Sequence, residues 1–269
     1  MIDRNKTWPV EPAHDGVTIA IPNWNHEFLL PRSISSALDC LKSLKRQGVP
    51  GEVLVVDDCS RDGSPTLLRQ LEALHYDDGL RVWAMAKNGG LGAARNQALL
   101  QARFRYIAFL DADNELVPEN LFHFYRSIKQ TESVAVFGNL ICLGGADMRL
   151  WSNQSFQLRI FNGNYIDACA LFDRQQTLDS GGYQTGSLLH GHDDWELYLH
   201  FASLGKRIVF VPMTFGIYYD LPNSLIKEVT QRGAEVVGRI RRIYDQLEIR
   251  DRMPHKTQLL RYHPDTGYL

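Results

Sequence analysis

The sequence predicts an α/β fold, a doubly wound and mostly parallel central sheet flanked by helices. Three observations carry that expectation. Strand-like apolar runs alternate with helical periodicity through the first half of the chain. Residues 53–56 are apolar without interruption, the pattern of a parallel strand covered on both faces. Polar residues also collect just past the strand runs: Asn23, Trp24 and Asn25, then Asp57 and Asp58, then Asn88, then Asp111 and Asp113. Open α/β sheets bind ligands beyond the carboxyl ends of their strands.

Residues 17–21 make the first strand, ended by Pro22. A helix follows from near Pro31 to near Gly48, with Leu38, Leu41 and Leu44 on one face. After the second strand, Gly63-Ser64-Pro65 opens a helix that carries Leu67, Leu68 and Leu71. Residues 80–85 read as a third strand, 93–102 as a helix and 106–110 as a fourth strand. Pro118 sits where a first helical turn would begin. The second half changes character. Residues 134–143 read as a strand, broken by Gly144-Gly145, and residues 146–190 are mixed, with turns at Gly163, Gly181, Gly182 and Gly186. A helix over 194–204 ends at Gly205, a strand covers 208–211, and an exposed Arg-rich helix is expected over 232–249. Composition shifts only mildly near residue 144, which argues against a separable second domain.

Of 269 residues, 44% are hydrophobic and 22% charged, enough apolar material for a sizeable core. The formal net charge of −2 shows neither the basic excess of a nucleic-acid binder nor an acidic tail. Cys40, Cys59, Cys142 and Cys169 form no CxxC pair and read as small apolar residues in a reducing compartment. Residues 1–16 are polar and contain Pro9 and Pro12, unlike a signal peptide. No stretch reaches the ~18 apolar residues of a spanning helix. The expectation is a cytoplasmic protein, with contact at the inner membrane surface open only as peripheral binding.

Asp111-Ala112-Asp113 directly follows the fourth strand. Two carboxylates would repel a phosphate unless a divalent cation lay between, and Mg²⁺ or Mn²⁺ suits such hard oxygen donors. The same residues could also form an Asp-rich turn capping the next helix. Asp57 and Asp58 could accept a hydrogen bond from a nucleobase imide, or the segment could be a loop in which Asp58 or Ser60 caps the helix near Gly63. In Asn88-Gly89-Gly90-Leu91-Gly92-Ala93-Ala94-Arg95-Asn96, glycines permit close backbone approach, and Arg95 could neutralise a diphosphate. Tight helix packing explains those glycines equally well. In His192-Asp193-Asp194-Trp195-Glu196-Leu197, a carboxylate at a helix start could act as a base or simply cap the helix.

Taken in order, these segments resemble glycosyltransferase family 2, from about Val17 to Tyr219. Ile21-Pro22-Asn23-Trp24-Asn25 is similar to its first-strand segment, with Trp24 at a Tyr position. Val56-Asp57-Asp58-Cys59-Ser60 resembles the nucleotide loop, and residues 88–96 the Asn-x-Gly-x-x-x-Ala-Arg-Asn segment. Residues 110–114 resemble the Asp-x-Asp segment and 192–197 the base motif, preceded by a Gly-Gly-aromatic turn at Ser180-Gly181-Gly182-Tyr183.

The resemblance implies a GT-A fold with a Rossmann-like sheet and a mixed acceptor side. It implies an N-terminal extension over 1–16, a transferase domain over 17–222 divided near residue 115, and a C-terminal helical extension over 223–269. Nucleotide contacts would come from Pro22, Asn23, Trp24, Asn25, Asp57, Asp58, Asn88, Gly90, Arg95, Asp111, Ala112 and Asp113. Asp113 would be the principal ligand of Mn²⁺ or Mg²⁺, with Asp111 toward the ribose. Asp194 or Asp193 would be the general base. The donor would be a nucleotide sugar, expected to be UDP-linked, and the acceptor a glycan, a lipid-linked or a small molecule, with no nucleic acid involved. The segment Tyr218-Tyr219-Asp220-Leu221-Pro222-Asn223-Ser224 lacks the His or Arg that often faces the diphosphate in this family, a place His190 or His192 could fill. The competing readings are a non-catalytic sugar-nucleotide or glycan binder and a nucleotidyltransferase. The latter would want a Gly-rich basic loop where Pro22-Asn23-Trp24-Asn25 stands.

Overall fold

The computed structural model describes residues 13–144, 149–152, 154, 156, 160, 163–186, 191–221, 238, 262–263 and 267–268. Apart from Gly238, the helix expected over 232–249 lies outside the described residues, as do Pro222-Asn223-Ser224 and His190.

Residues with unbroken apolar runs become the central strands. These are β1 (His14–Asn23), β2 (Gly51–Asp57) and β4 (Phe104–Phe109), with β3 (Leu80–Ala84) beside β2. Between them run α1 (Leu30–Arg46), α2 (Ser64–His75) and α3 (Leu91–Gln101). The second half supplies β5 (Glu115–Leu116), α4 (Leu121–Thr131), β6 (Ala135–Leu143), β7 (Arg149–Trp151), β8 (Leu171–Asp173), α5 (Arg174–Asp179), α6 (Asp193–Ser203) and β9 (Ile208–Tyr219). Strands lie in the order β3-β2-β1-β4-β8-β6-β9-β5, with β7 on β6. The pairs among β3, β2, β1 and β4, and the pair β6–β9, are parallel, whereas β8 runs antiparallel to both β4 and β6.

Two apolar layers cover the sheet. Val53 and Val55 face the layer of α1 and α4 (Leu30, Ile34, Leu41, Phe124), while Leu54 and Val56 face that of α3 and α6 (Ala94, Ala98, Leu197, Phe201). This is why β2 shows no polar alternation. The edge strand β3, by contrast, leaves Trp83 exposed.

Pro22 lies inside a central strand, where its missing N–H would ordinarily break the ladder. Val17 N donates to Pro50 O and Asp58 N to Asn23 O, so the odd residues of β1 face β2. Pro22 therefore faces β4, where the pairing ends at Ala20 with Phe109, so the ladder stops before it would need an N–H from Pro22.

Several elements depart from the sequence reading. The first strand begins at His14, where His14 N bonds to Arg103 O. Pro118 precedes α4 by three residues and follows the short strand β5, which pairs with β9. The last strand of the main sheet runs through Pro212 to Tyr219, with register shifts opposite Gly138 and Asn139 absorbing the irregularity. In the region read as mixed, β8 and α5 are ordered elements; Asp173 caps α5 by accepting from Gln176 N at 3.0 Å. All four cysteines are free, three of them buried and Cys59 partly exposed.

Candidate active site at the carboxyl edge of the sheet

The ends of β1, β2 and β4 and the start of α3 are tied into one edge. Asn23, 2% exposed, donates to Asp57 Oδ1 at 2.8 Å and to Ser60 Oγ at 3.2 Å. Asp57 also accepts from Ser60 N and Oγ. Asn25, with a positive φ of 60°, receives Arg61 N on its side chain and gives its own N–H to Ser60 Oγ. Trp24 stands beside them, half exposed, with its ring open to solvent. Pro22 is buried in β1.

Asp58 explains the glycine loop. Its two carboxylate oxygens accept from Gly89 N and Gly90 N, both at 2.7 Å, and its carbonyl accepts from Asn88 Nδ2 at 3.1 Å. A carboxylate of the protein thus takes the two amides that sequence reasoning offered to a phosphate. Burial raises the Asp58 pKa and Asp57 adds to this, while the two amides pull it down.

The rest of that loop reaches the other half of the molecule. A Cβ on Gly92 would strike Gln184 O, so only glycine lets α3 approach the Gly181-Gly182-Tyr183 turn. Asn96 closes the contact, donating to Tyr183 O at 2.7 Å and accepting from Tyr183 N at 2.8 Å.

Arg95, 3% exposed, lies at the centre. One nitrogen binds Asp111 Oδ1 at 3.0 Å, and its Nε has no partner among the described residues. Asp111, Asp193 and Asp194 all act on this guanidinium. Asp111-Ala112-Asp113 forms a turn closed by Asn114 N to Asp111 O. Asn114 in turn accepts from Tyr219 N at 3.0 Å, which moors the turn to β9. Burial, then the neighbouring Asp111, pushes Asp113 up to about 6. A divalent cation would offset that cost, and the carboxylates of Asp111 and Asp113 are donors of the right hardness. Among the described residues no three His, Cys, Asp or Glu side chains converge as a metal cage. The remaining coordination would fall to diphosphate oxygens and water, as is usual for Mg²⁺.

Asp193 and Asp194 open α6. Asp193 is buried and pushed up to about 7 by that burial, with Arg95 opposing and Asp194 and Glu196 adding. Asp194 is less enclosed. It accepts from Trp195 N at 2.7 Å and from Asn164 Nδ2 at 3.2 Å. Its pKa is raised by burial, with Arg95, those two hydrogen bonds and His192 pulling the other way. His192 packs edge-on to Trp195.

Four residues near this edge escaped sequence reasoning. Arg32, in the first turn of α1, donates to Asp113 O, pairs with Glu115 at 3.4 Å and lies 3.6 Å from the Tyr219 ring centroid. A cation in a first helical turn opposes the helix dipole, a signal that could have flagged it. His26 follows Asn25; its Nδ1 has no partner among the described residues, and burial lowers its pKa against the pull of Asp111 and Asp62. Asn164 and Asp167 fall in the stretch where no periodicity marks position. Asp167 is pushed up to about 7 by burial, then by Asp111 and Asp194.

A carboxylate pair past β4 and a second pair at the start of α6 thus act on one buried guanidinium at the carboxyl edge of the sheet. Residues 18–180 match the profile of Glycosyl transferase family 2, and the chain belongs to that family. It is 33% identical over 138 residues to the succinoglycan biosynthesis protein ExoO of Rhizobium meliloti, a match covering 51% of this chain and 37% of that protein. It is 33% identical over 132 residues to the poly(ribitol-phosphate) beta-glucosyltransferase of Bacillus spizizenii, covering 48% of this chain and 20% of that one. The matched part thus spans well under half the length of these curated relatives. Among solved structures, S. aureus TarS 1–349 in complex with UDP-GlcNAc superposes with a TM-score of 0.66 at 18% identity, covering 88% of this chain and 72% of that one. The mannosyltransferase PcManGT from Pyrobaculum calidifontis, in complex with GDP-Man and Mn²⁺, gives 0.57 at 22% identity, covering 85% and 64%. These likenesses establish the shared fold.

Proposed function

We propose that the protein transfers a sugar from a nucleotide diphosphate sugar, UDP-linked by expectation, to an acceptor hydroxyl, inverting the anomeric carbon. The observation that carries the reading is the placement of Asp111 and Asp194 around one buried guanidinium, Arg95. In this reading the leaving-group side and the proton-accepting side share one buried cation. The UDP-GlcNAc and the GDP-Man with Mn²⁺ of the two solved relatives support a nucleotide-sugar donor and a divalent cation. Of the expected acceptors (a glycan, a lipid-linked or a small molecule), the poly(ribitol-phosphate) glucosyltransferase and the succinoglycan biosynthesis relatives support a glycan or polymer.

In this reading Asp194 takes the proton of the acceptor hydroxyl as that oxygen attacks the anomeric carbon. The bond from that carbon to the diphosphate oxygen breaks on the opposite face, and a single displacement inverts the configuration. A raised carboxylate pKa makes the stronger base, and Asn164 with Trp195 N–H fixes the direction of the Asp194 oxygens. Asp193, the more buried of the pair, is the second candidate for the base. Asp113, with Asp111, would hold Mg²⁺ or Mn²⁺, an ion that supplies positive charge to the departing diphosphate. Asp57, Asp58 and Trp24 form the nucleoside end. No helix among the described residues is long and apolar enough to cross a membrane.

General-base assistance is worth roughly 10²–10⁴-fold. Asp194→Asn is expected to lower turnover of a nucleotide sugar by about that factor while nucleotide affinity, read by calorimetry, stays near that of the parent protein. Turnover equal to the parent's would remove Asp194 from the base role.

A further inference from the structure

Asp167 belongs to none of the motif segments, yet the fold brings it within electrostatic reach of Asp111 and Asp194. Phe109 N donates to Ala170 O at 3.1 Å, and Ala108 faces Leu171 across the antiparallel β4–β8 pair. Continuing that register past Phe109 sets residues 167–169 beside the Asp111-Ala112-Asp113 turn. From the other side, Tyr198 on the base helix α6 donates to Asp167 O at 3.1 Å. Asn164, three residues earlier, holds the Asp194 carboxylate. The segment 164–169 therefore spans the distance between the diphosphate side and the base.

The Asp167 carboxylate is only partly used. Its Oδ1 accepts from Cys169 N at 2.8 Å, and no described residue donates to Oδ2. The charges of Asp111 and Asp194 both act on it. Arg95 acts on it as a counter-charge, and the buried Nε of Arg95 lacks a partner among the described residues. An oxygen placed here would repel a phosphate. It suits a neutral hydrogen-bond donor, and sugar hydroxyls are such donors.

We propose that Asp167 is a specificity-determining residue that accepts hydrogen bonds from hydroxyls of the transferred sugar. The inference rests on the donor reading above and goes further in assigning the sugar, rather than nucleotide or acceptor, to this carboxylate. During an inverting displacement the sugar ring must lie between leaving diphosphate and base, and the stretch from Asn164 to Ala170 that carries Asp167 is tied to Asp194 at one end and to β4 at the other.

The test is calorimetry with Mn²⁺ on the parent protein, Asp167→Asn and Asp167→Ala. UDP-glucose, UDP-GlcNAc and GDP-mannose are each compared with the free diphosphate. The near-isosteric Asn keeps an acceptor for Cys169 N and guards against a folding loss, and the melting temperature of each variant is recorded. In the parent, one sugar nucleotide should bind more tightly than its free diphosphate. In both variants that advantage should shrink about tenfold, the weight of a hydrogen bond to a charged group, while affinity for the free diphosphate stays within about twofold. A purely structural role would weaken both ligands together and overturn the proposal. So would a variant that keeps the parent's full advantage. Failure of the parent to bind any of the nucleotides would instead overturn the donor reading itself.

Discussion

Asp113 and Asp193 are both carboxyls whose burial works against ionisation, with different consequences. Asp113 is pushed up to about 6, and a cation needs the ionised form. Affinity for Mn²⁺ in the presence of UDP should therefore weaken as pH falls through about 6, beyond the loss shown by Asp113→Asn; titrations at pH 5.5 and 7.5 read this directly. Asp193 keeps its proton to about 7, whereas an unfolded Asp ionises near ~3.9. Between those values the folded state binds more protons, so stability falls as pH rises, and the cost is complete above about 7. Asp193→Asn removes it. Scanning calorimetry should show the variant gaining more melting temperature over the parent at pH 8 than at pH 5; an equal gain at both would contradict the buried charge.

At the scale of elements, α3 is the connector. The loop that enters it holds Asp58 through Gly89 and Gly90, its Arg95 holds Asp111, and its Asn96 holds the Tyr183 turn. Gly92→Ala would force Gln184 away and separate α3 from that turn. The expected cost is about 1–3 kcal/mol by urea unfolding, with nucleotide affinity reduced as Arg95 shifts. The elements most legible in the sequence were those repeating one local rule. The run at residues 53–56 marked β2, and Leu38, Leu41 and Leu44 marked the buried face of α1. Less legible were β5, two residues long, and β8, three, whose identity depends on partners far along the chain. Asp58 shows a related limit. Its position at a strand end was readable, but its engagement with the amides of Gly89 and Gly90 needs 31 and 32 residues of chain to fold back. Asn164 and Asp167 were hidden for the same reason.

Across the whole molecule, the sheet separates support from chemistry. Two apolar layers bury both faces, so polar groups concentrate at the strand ends. The carboxyl edge collects residues from β1, β2, β4, α3, α6 and the 164–169 segment. The second half of the chain contributes more than an acceptor wall: Asn164 orients Asp194, and Tyr219 moors the turn that carries Asp111 and Asp113. The site is therefore a property of the complete sheet, and the proposed function requires that its carboxyl edge bind a nucleotide diphosphate through a divalent cation. Calorimetric titration of UDP into the protein, with Mn²⁺ and then with excess chelator, tests this most directly. Binding is expected with Mn²⁺, with most of that affinity lost to chelator and the same loss in Asp113→Ala with Mn²⁺ present. UDP binding of equal strength in all three conditions would contradict it.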